Sequence, residues 1–489
     1  MYDAVVVGAG VSGLTNALIL AKFGKRVAVV ERAPSVGSLL SGFDRWGVHY
    51  DTGFHYAGGM ADGEGVRRFL KFLDLDKHLE ILPLRQSCFD RVIATDHSLE
   101  LELPVGADPF IAALIAEFPT ERQAITRFVN DVLQVGDNLP YLNLSTLVDD
   151  VSVFAVADDI SLTAYLNCLT TDSRLRQVLS LHCILHGVAA ARVPFRFHAS
   201  VIGPYIRSAS TFAGGGQALV QAFEHELAAC GVDIYCGQQM QHLRVSAQDK
   251  VNGVELADGQ VLKCSFVVGA IHPQHLLACL PPRLVRPVYR KRLQGLHETS
   301  SACLLFAHCK SNVDLLHGSN IYLWDVGQAQ QQHFPFDNNM CYLTAANGIN
   351  SSGFMAIVPA YFDQFTPWAQ SLSGKRPAAY YARKRIITEE IVQRVTNVIP
   401  ALHNQIDQCV LATPLTLRDY MYSHSGALYG AQRVVDEYPL QVTTRIDGLY
   451  LSGQALVAPG VMGAMISAFN SCGTILGRER LIGELKKCN

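Results

Sequence analysis

The first 32 residues constrain the fold of this chain more than any other segment. Residues 3–32 read DAVVVGAGVSGLTNALILAKFGKRVAVVER. Residues 4–7 and 27–30 are short apolar runs, which are typical of strands buried on both faces of a parallel sheet. Residues 14–23 between them are apolar over a helical length, and Gly24 follows as a stop signal. The segment therefore predicts a complete βαβ unit at the start of an α/β domain.

Three glycines between the first strand and the helix follow the GxGxxG spacing. Gly8 suits a tight turn, Gly10 lets a diphosphate approach the backbone, and Gly13 lets the helix pack closely on the strand. The N–H groups at the helix N-terminus attract anions. Glu31 ends the second strand, where a carboxylate can accept a hydrogen bond from a ribose 2′-OH. With both strands, the helix and the acid in register, the motif indicates a bound dinucleotide rather than a structural turn.

The same segment resembles the N-terminus of a flavoprotein family that includes phytoene desaturases, carotenoid isomerases and retinol saturases. The family belongs to the flavin amine oxidase superfamily, and the resemblance implies noncovalently bound FAD. Residues 42–56 read GFDRWGVHYDTGFHY and resemble the family segment in which a DxG turn lies along the flavin. Residues 51–53 are that turn, and the GFHY phrase at residues 53–56 is closest to the saturase and isomerase branch.

The chain departs from the family at the glycine pair that follows the acidic strand end. The family usually has Gly-Gly there, and this chain has Gly37-Ser38. The serine adds a hydroxyl that can hydrogen-bond a phosphate, so we expect binding to survive the change.

The C-terminal region resembles the closing motif of the same family. Residues 447–463 read DGLYLSGQALVAPGVMG, with a short strand at residues 449–451 and an apolar helix from about residue 461 to 476. Gly453-Gln454 forms the turn after the strand, and many relatives have Asp at the Gln454 position. The resemblance implies that the helix N-terminus faces the flavin. We therefore expect the two ends of the chain to meet around the cofactor.

The middle of the chain resembles the second part of the family's FAD domain. A glycine triplet at residues 214–216 precedes an amphipathic helix at residues 217–230. Strands are predicted after it at residues 232–235, 240–245, 251–256 and 261–268. The resemblance places the Met240 backbone against the adenine. We recognise no buried strand running into the triplet and no second βαβ fingerprint, which argues against a built-in NAD(P)H site.

Together these segments predict an α/β fold with a Rossmann-like FAD-binding domain of the glutathione-reductase and amine-oxidase type. The inserted substrate domain is expected to be α+β. The predicted FAD-binding domain is discontinuous and comprises residues 1–75, 208–275 and 440–489. The predicted substrate-binding domain comprises residues 76–207 and 276–439.

An unusually apolar stretch at residues 175–191 falls in the predicted substrate domain. We interpret it as a buried core helix, with a tunnel wall and a membrane-facing surface as the alternatives. His182 and His186 are four residues apart on it, a spacing that metal ligands use. No third ligand is evident in the sequence, so we predict no metal site.

Composition excludes several classes of protein. Charged residues make up 17% of the chain, against about 25% in ordinary globular proteins, and hydrophobic residues make up 49%. This excludes a disordered chain, and a net charge of −3 argues against a nucleic-acid partner. No run approaches the roughly 18 apolar residues of a transmembrane helix. We expect a cytoplasmic protein, with peripheral membrane contact left open.

Proton-transfer candidates come from polar residues near the flavin motifs, because a flavin itself exchanges hydride with carbon. His55 and Tyr56 directly follow the DTG turn. Tyr422 and His424 lie in residues 413–430, TPLTLRDYMYSHSGALYG, which resemble an active-site segment of the saturase and isomerase branch. These four residues are the predicted catalytic candidates.

The resemblance implies redox chemistry at carbon–carbon bonds of an apolar, polyene-like small molecule, with an external electron donor or acceptor. Saturation, desaturation and flavin-assisted cis–trans isomerisation stay open. The alternatives are an amine oxidase-like enzyme acting on a C–N bond and a non-enzymatic FAD-containing carrier of apolar ligands. The predicted FAD-binding residues are Gly8, Gly10, Val11, Ser12, Gly13, Glu31, Arg32, Gly37, Ser38, Asp51, Thr52, Gly53, Met240, Gly453, Gln454, Val461, Met462 and Gly463.

Overall fold

The computed structural model describes residues 1–139, 141–144, 159–311, 316, 318–325, 340–347, 352–423 and 425–488. The strands in these residues are β1 (Tyr2–Val7), β2 (Val27–Glu31), β3 (Phe43–Arg45), β4 (Val48–Tyr50), β5 (Ile81–Pro83), β6 (Asp90–Ala94), β7 (Glu100–Leu103), β8 (Ser210–Phe212), β9 (Asp233–Cys236), β10 (Met240–Val245), β11 (Val251–Leu256), β12 (Val261–Gly269), β13 (Ser301–Cys309), β14 (Asn320–Trp324), β15 (Met340–Ala345), β16 (Gly353–Ala360), β17 (Ile406–Ala412) and β18 (Leu449–Leu451).

The α-helices in the same residues are α1 (Val11–Lys22), α2 (Gly65–Phe72), α3 (Ala107–Glu117), α4 (Arg122–Asp137), α5 (Leu162–Leu169), α6 (Ser173–Ser180), α7 (Phe195–Arg207), α8 (Gly215–Ala229), α9 (Pro273–Ala278), α10 (Pro287–Gln294), α11 (Ala378–Val398), α12 (Pro414–Met421), α13 (Gly460–Leu476) and α14 (Arg478–Leu485). None of these helices combines the length and the apolar character that crossing a membrane requires.

The first sheet is the Rossmann-like part of a mixed α/β fold. Its path runs β10-β11-β12-β1-β2-β9, and β18 pairs with β12. Strands β18, β12, β1, β2 and β9 are mutually parallel, whereas β10 and β11 extend the sheet in antiparallel fashion. The apolar side chains of β1 and β2 are buried because helices cover the sheet. The carboxyl ends of β1, β2, β12 and β18 therefore share one edge, where such sheets bind ligands.

The two ends of the chain lie side by side at this edge. Helix α1, which follows β1, packs on α13, which follows β18. The Ser12 hydroxyl is hydrogen-bonded to the Ser452 hydroxyl at 2.7 Å, and Asn16 Nδ2 donates to the same Ser452 oxygen at 2.8 Å. All three side chains are buried, so this polar contact joins the N-terminal helix to the turn after β18.

The second sheet has the order β17-β13-β16-β15-β14-β6-β7. Its pairs are antiparallel except for β14 with β6, which is parallel. The β3–β4 hairpin contacts this second sheet through Tyr50, the last residue of β4. Tyr50, fully buried, donates its hydroxyl hydrogen to the Ala307 carbonyl of β13 at 3.1 Å. The predicted assignment of residues to two domains stays a prediction.

Several predicted elements are confirmed, including strands 240–245, 251–256 and 449–451. The predicted helix over residues 175–191 is wrong. Helix α6 ends at Ser180, a 3₁₀ turn covers Leu181–Leu185, and Gly187 then takes a left-handed conformation with φ +72°. A left-handed residue cannot continue a right-handed helix. His182 and His186 therefore do not share one face of an α-helix.

The prediction that no buried strand runs into the glycine triplet is also wrong. Strand β8 is fully buried and ends at Phe212, two residues before Gly214. It pairs antiparallel with β5 in a separate two-stranded sheet. Because a βαβ fingerprint needs a parallel strand in the main sheet, β8 and α8 do not form a second one.

Candidate active site

The turn between β1 and α1 leaves its central glycine open. Gly8 has φ +100°, and a Cβ on Gly13 would lie 1.8 Å from the Gly8 carbonyl oxygen, so neither position has room for a side chain. A Cβ on Gly10, by contrast, would have no heavy atom within 4 Å. Helix α1 begins there without a side-chain cap and without an acidic residue in its first turn. Its free N–H groups, which include those near Val11, can therefore receive an anion.

Glu31 is held rigidly at the end of β2. Its Oε2 accepts a hydrogen bond from the Ala9 amide at 2.7 Å, and its Oε1 accepts one from the Ala33 amide at 2.8 Å. The side chain is only half-buried. Each carboxylate oxygen retains a second lone pair that could accept a hydroxyl hydrogen. This geometry matches the predicted ribose-binding role.

The Gly37-Ser38 pair explains why the departure from Gly-Gly is tolerated. Gly37 has φ +59°, its amide donates to the Ala9 carbonyl at 2.8 Å, and a Cβ would lie 2.4 Å from a Val220 methyl group. Ser38 is exposed. Only the first residue of the pair therefore has to be glycine.

A second open helix N-terminus comes from the other end of the chain. Gly453 has φ +118° with no heavy atom within 4 Å of its Cβ position, and its amide donates to Ser467 Oγ at 2.9 Å. Gln454 beside it is half-buried. Helix α13 starts at Gly460 without a side-chain cap or an acidic residue in its first turn. A Cβ on Gly463 would lie 2.2 Å from the Ala458 carbonyl oxygen.

Val461 and Met462 form the first turn of α13, the former buried and the latter half-buried. A dinucleotide cofactor fits this set of residues. Two uncapped helix N-termini, two unfilled glycine positions and one anchored carboxylate lie along a single sheet edge. The first turn of α1 would hold the diphosphate, Glu31 the ribose, and the first turn of α13 the far end of the cofactor.

Asp51, a predicted cofactor-binding residue, has its side chain at the N-terminus of α8. Asp51 is 1% exposed, and its Oδ1 accepts a hydrogen bond from the Gly216 amide at 2.9 Å. A Cβ on Gly215 would lie 2.1 Å from Asp51 Oδ2. The carboxylate therefore caps the N-terminus of α8, which explains why a glycine triplet stands there. Burial raises the pKa of Asp51 to about 7, although the Gly216 hydrogen bond acts in the opposite direction.

The rest of the DTG turn is fixed by the preceding loop. Thr52 Oγ1 donates to the Leu39 carbonyl at 2.8 Å. Gly53 is exposed, and a Cβ there would lie 2.5 Å from the same carbonyl oxygen. The backbone of the turn thus stays accessible, as a cofactor contact would require.

His55 and Tyr56 direct the chain from this turn into the protein interior. His55 Nδ1 is buried without a hydrogen-bond partner, and burial lowers the pKa of the imidazole to about 4. Tyr56 donates to Asp90 Oδ2 at 3.1 Å and its oxygen lies 3.0 Å from the Tyr322 hydroxyl. Burial, reinforced by Asp90, raises the pKa of Tyr56 well above its ordinary value. At neutral pH His55 is uncharged and Tyr56 keeps its proton.

Two residues beside Tyr56 were missed by sequence reasoning. Asp90 starts β6, and His182 lies in the 3₁₀ turn after α6, with His182 Nε2 at 2.9 Å from Asp90 Oδ2. Neither stands in a recognisable motif, and they are 92 residues apart. No signal in the sequence could have paired them.

Tyr422 does not join His55 and Tyr56. The Arg32 guanidinium stacks over the Tyr422 ring at 3.6 Å from its centroid, and His275 Nε2 lies 2.8 Å from the Tyr422 carbonyl oxygen. Because Arg32 follows Glu31, these contacts place Tyr422 at the ribose end of the edge. The predicted catalytic role of Tyr422 stays a prediction. His424, the fourth catalytic candidate, lies outside the described residues.

Met240 occupies the start of the outer strand β10. Its side chain is buried, and its carbonyl accepts the Cys279 thiol hydrogen at 3.3 Å. Two residues earlier, the Gln238 amide donates to the Glu31 carbonyl at 2.9 Å. The linker before β10 therefore borders the ribose end, and the predicted adenine contact of Met240 stays a prediction.

His182 and His186, which have the spacing of metal ligands in the sequence, contact different residues in the structure. His186 Nε2 lies 3.0 Å from His198 Nδ1, and Cys183 Sγ lies 3.9 Å from the same nitrogen. The Val188 amide donates to His186 Nδ1 at 3.3 Å, which places the His186 proton on Nε2. The ligand atoms of Cys183, His186 and His198 nevertheless all lie within 4.8 Å of one another, so these buried residues could hold a metal ion. The predicted absence of a metal site stays a prediction. His182 instead contacts Asp90.

Comparisons with known proteins agree with this geometry. Residues 6–73 match the model of the NAD(P)-binding Rossmann-like domain. Solved structures with the same fold include an oxidoreductase from Methanosarcina mazei, with TM-score 0.66 and 15% identity over 95% of this chain and 98% of that one. Putrescine oxidase bound to putrescine has TM-score 0.65 and 13% identity over 98% and 99%.

Curated relatives match the chain over nearly its whole length. It is 26% identical to the all-trans-retinol 13,14-reductase of Rattus norvegicus, over 98% of this chain and 86% of the relative. It is 26% identical to the Homo sapiens protein of the same name, over 99% and 87%. It is 22% identical to the chloroplastic prolycopene isomerase of Arabidopsis thaliana, over 95% and 82%. The chain is thus similar over nearly its whole length to these reductases and to this isomerase.

Proposed function

We propose that the protein is an FAD-dependent oxidoreductase that reduces a carbon–carbon double bond in an apolar polyene. Two groups of relatives support the polyene substrate, since their names specify retinol and prolycopene. Reduction is favoured over isomerisation because the reductases are 26% identical to this chain and the isomerase is 22% identical. The observation that carries the proposal is Tyr56, a buried and protonated phenol three residues after the DTG turn.

The proposed cofactor supplies hydride exchange with carbon. The chain contributes binding, orientation and proton supply. The open turn at Gly10 and the first turn of α1 hold the diphosphate, and Glu31 holds the ribose. The first turn of α13 stabilises negative charge at the opposite end, because its N–H groups and helix dipole point outward there.

The surroundings of Tyr56 exclude water from the proposed reaction. The Tyr56 ring packs at 4.8 Å from the Tyr205 centroid and stacks at 6.4 Å on Tyr342, and all three side chains are largely buried. A polyene has no polar group along its conjugated chain, so an aromatic wall binds it by apolar contact. One phenol then provides the proton that the substrate needs.

The proposal includes an external electron donor, because reduction of a double bond consumes two electrons that the chain itself does not supply. It also includes a cytoplasmic location with peripheral contact to membranes. Apolar polyenes partition into lipid, so a protein that takes them up benefits from such contact.

An anaerobic single-turnover experiment tests the function. The FAD-loaded protein is reduced with dithionite and mixed with all-trans-retinol, and the products are separated and weighed by mass spectrometry. We expect flavin reoxidation together with a product two mass units heavier than the substrate. A product of unchanged mass would show isomerisation instead.

The same preparation tests the alternative chemistry. Oxidised protein is mixed in air with putrescine and with cyclohexylamine, and hydrogen peroxide is measured. Peroxide formation with amines and no change in the polyene would replace the proposal by amine oxidation. A protein that binds no FAD would remove both.

A further inference from the structure

Asp90 is a fully buried carboxyl group with hydrogen-bond partners from three other segments. Its Oδ2 accepts hydrogen bonds from the Tyr56 hydroxyl at 3.1 Å and contacts His182 Nε2 at 2.9 Å. Its Oδ1 accepts one from Asn320 Nδ2 at 3.0 Å. Asp90 is 0% exposed and Asn320 is 3% exposed. Burial of such a group is costly even when it is well bonded, and apolar replacements are often as stable. Stability alone is therefore a poor reason for its presence.

The contact between Asp90 and His182 holds a proton. A hydrogen bond between Nε2 and a carboxylate oxygen needs one hydrogen, whichever of the two atoms carries it. The same carboxylate oxygen, Oδ2, bonds Tyr56. The phenol and the imidazole are thus linked through a single atom.

His182 also borders a small cavity of about 10 Å³. Its walls are mostly aliphatic and phenyl side chains, with His182 and Tyr205 as the polar members. Such an apolar wall offers a water molecule few hydrogen-bond partners, so the cavity is expected to stay dry. The His182 side chain is 9% exposed, which leaves it a direct route to solvent for proton exchange.

We propose that Asp90 and His182 are positioning residues for Tyr56, which they orient and resupply with the proton that it gives to the substrate. The inference rests on the proposed reduction of a polyene. It extends that function from the predicted Tyr56 to two residues that no sequence motif marks.

Bound FAD, once reduced by an external donor, would supply a hydride, that is, one proton and two electrons, to one carbon of the double bond. The adjacent carbon takes up a proton from the Tyr56 hydroxyl, so its O–H bond breaks and a C–H bond forms. The phenolate recovers a proton from the Asp90–His182 pair, which regains it from water.

The titratable groups around Asp90 and His182 do not change protonation state near neutral pH. Burial raises the pKa of the phenols and of the Cys88 thiol, and lowers the pKa of the two imidazoles nearest His182. The groups that face the Asp90–His182 pair are Tyr56, Tyr205, Tyr322, Tyr342, Cys88, His186 and His198. A changed pH profile in an Asp90 or His182 variant would therefore report on the pair.

The test uses the FAD-loaded protein and four variants, with all-trans-retinol as the probe. Y56F removes the phenol, D90N and H182Q alter the pair, and Y380F is the control. Tyr380 is 3% exposed and bonds Thr413 Oγ1 at 2.8 Å, in the second apolar core. Y380F therefore removes a buried hydroxyl, as Y56F does, but at a position away from Asp90.

We expect Y56F, D90N and H182Q to lower kcat about 10²–10⁴-fold, the usual contribution of a proton donor. KM and the bound-flavin spectrum should change little, since neither residue of the pair is placed in the cofactor site. D90N and H182Q should also alter the pH profile of kcat and the solvent isotope effect in D₂O. Y380F should keep all of these values.

Wild-type kcat and isotope effect in H182Q and D90N would overturn the inference and leave the proposed reduction intact. A wild-type holoprotein that leaves the polyene unreduced would overturn both. If D90N does not fold, H182Q decides alone, because it alters the cavity side of the pair and leaves the Asp90 carboxylate in place.

Discussion

At the scale of single residues, the buried carboxyl groups of Asp51 and Asp90 have different partners. Asp51 closes the turn onto α8 through the Gly216 amide, whereas Asp90 joins Tyr56 to His182. Asp51 has a helix N-terminus as its partner, which favours the charged form. Burial nevertheless dominates and raises the pKa of Asp51 to about 7. The neutral form is therefore the one that the fold prefers.

This preference predicts a pH-dependent contribution of Asp51 to stability. Its folded pKa lies above the unfolded value of 3.8, so the contribution is complete below about pH 4 and is lost as the pH rises toward 7. Relative to D51N, the wild-type protein should lose at most about 1.4 kcal/mol of unfolding free energy per pH unit across this window. Thermal unfolding of both proteins from pH 4.5 to 8 checks this. Parallel pH curves would contradict it.

At the scale of elements, the turn between β1 and α1 contains one glycine that the fold requires and one that it does not. Gly13 is needed by the fold, because its Cβ position lies 1.8 Å from the Gly8 carbonyl oxygen. Gly10 is not, because its Cβ position is open and its φ of −76° and ψ of 177° suit any residue. The space at Gly10 is thus free to receive a ligand, because no packing contact fills it.

Replacing each glycine by alanine should give opposite results. G10A should leave the melting temperature of the cofactor-free protein unchanged and raise the Kd for FAD at least about tenfold, a loss of about 1.4 kcal/mol. G13A, the matched control, should destabilise the cofactor-free protein because its methyl group overlaps backbone. Differential scanning fluorimetry and flavin-fluorescence titration measure both. Unchanged FAD affinity in G10A would show that the diphosphate lies elsewhere.

At the scale of the whole molecule, the site depends on segments from both ends of the chain. Ser12 and Ser452 hydrogen-bond across 440 residues of sequence, and α1 packs on α13. The second sheet approaches the same region, since the Asp51 amide donates to the Ala346 carbonyl at 2.8 Å. A ligand at this edge must therefore affect distant parts of the sequence together.

Hydrogen–deuterium exchange should show this coupling. Addition of FAD to the cofactor-free protein should protect amides of residues 8–14 and of residues 453–466 in parallel, because a bound ligand lowers the population of locally open states. Helix α11, in the second apolar core, is the internal control and should change less. Protection confined to residues 8–31 would mean that the C-terminal helix takes no part in binding.

Much of the first sheet was predictable, because its signals are local. The first strand, predicted at residues 4–7, its glycines, Glu31 and the C-terminal strand and helix are contiguous patterns that short-range geometry explains. The predicted helix at residues 175–191 failed for the opposite reason. Its apolar composition satisfies a helix locally, but Gly187 turns left-handed and His182 and His186 bond to Asp90 and His198, which are distant in sequence.

The sequence by itself determined the Rossmann-like start, the strand-end acid and the positions where glycine leaves backbone accessible, since steric limits on φ, ψ and Cβ act within a few residues. Only the tertiary structure decided what the buried polar groups contact. In the tertiary structure Asp51 caps α8, and the Tyr422 ring lies against Arg32. Asp90 contacts both His182 and Tyr56. A buried polar group must find a partner wherever the packed chain offers one, and sequence distance has no influence on that choice.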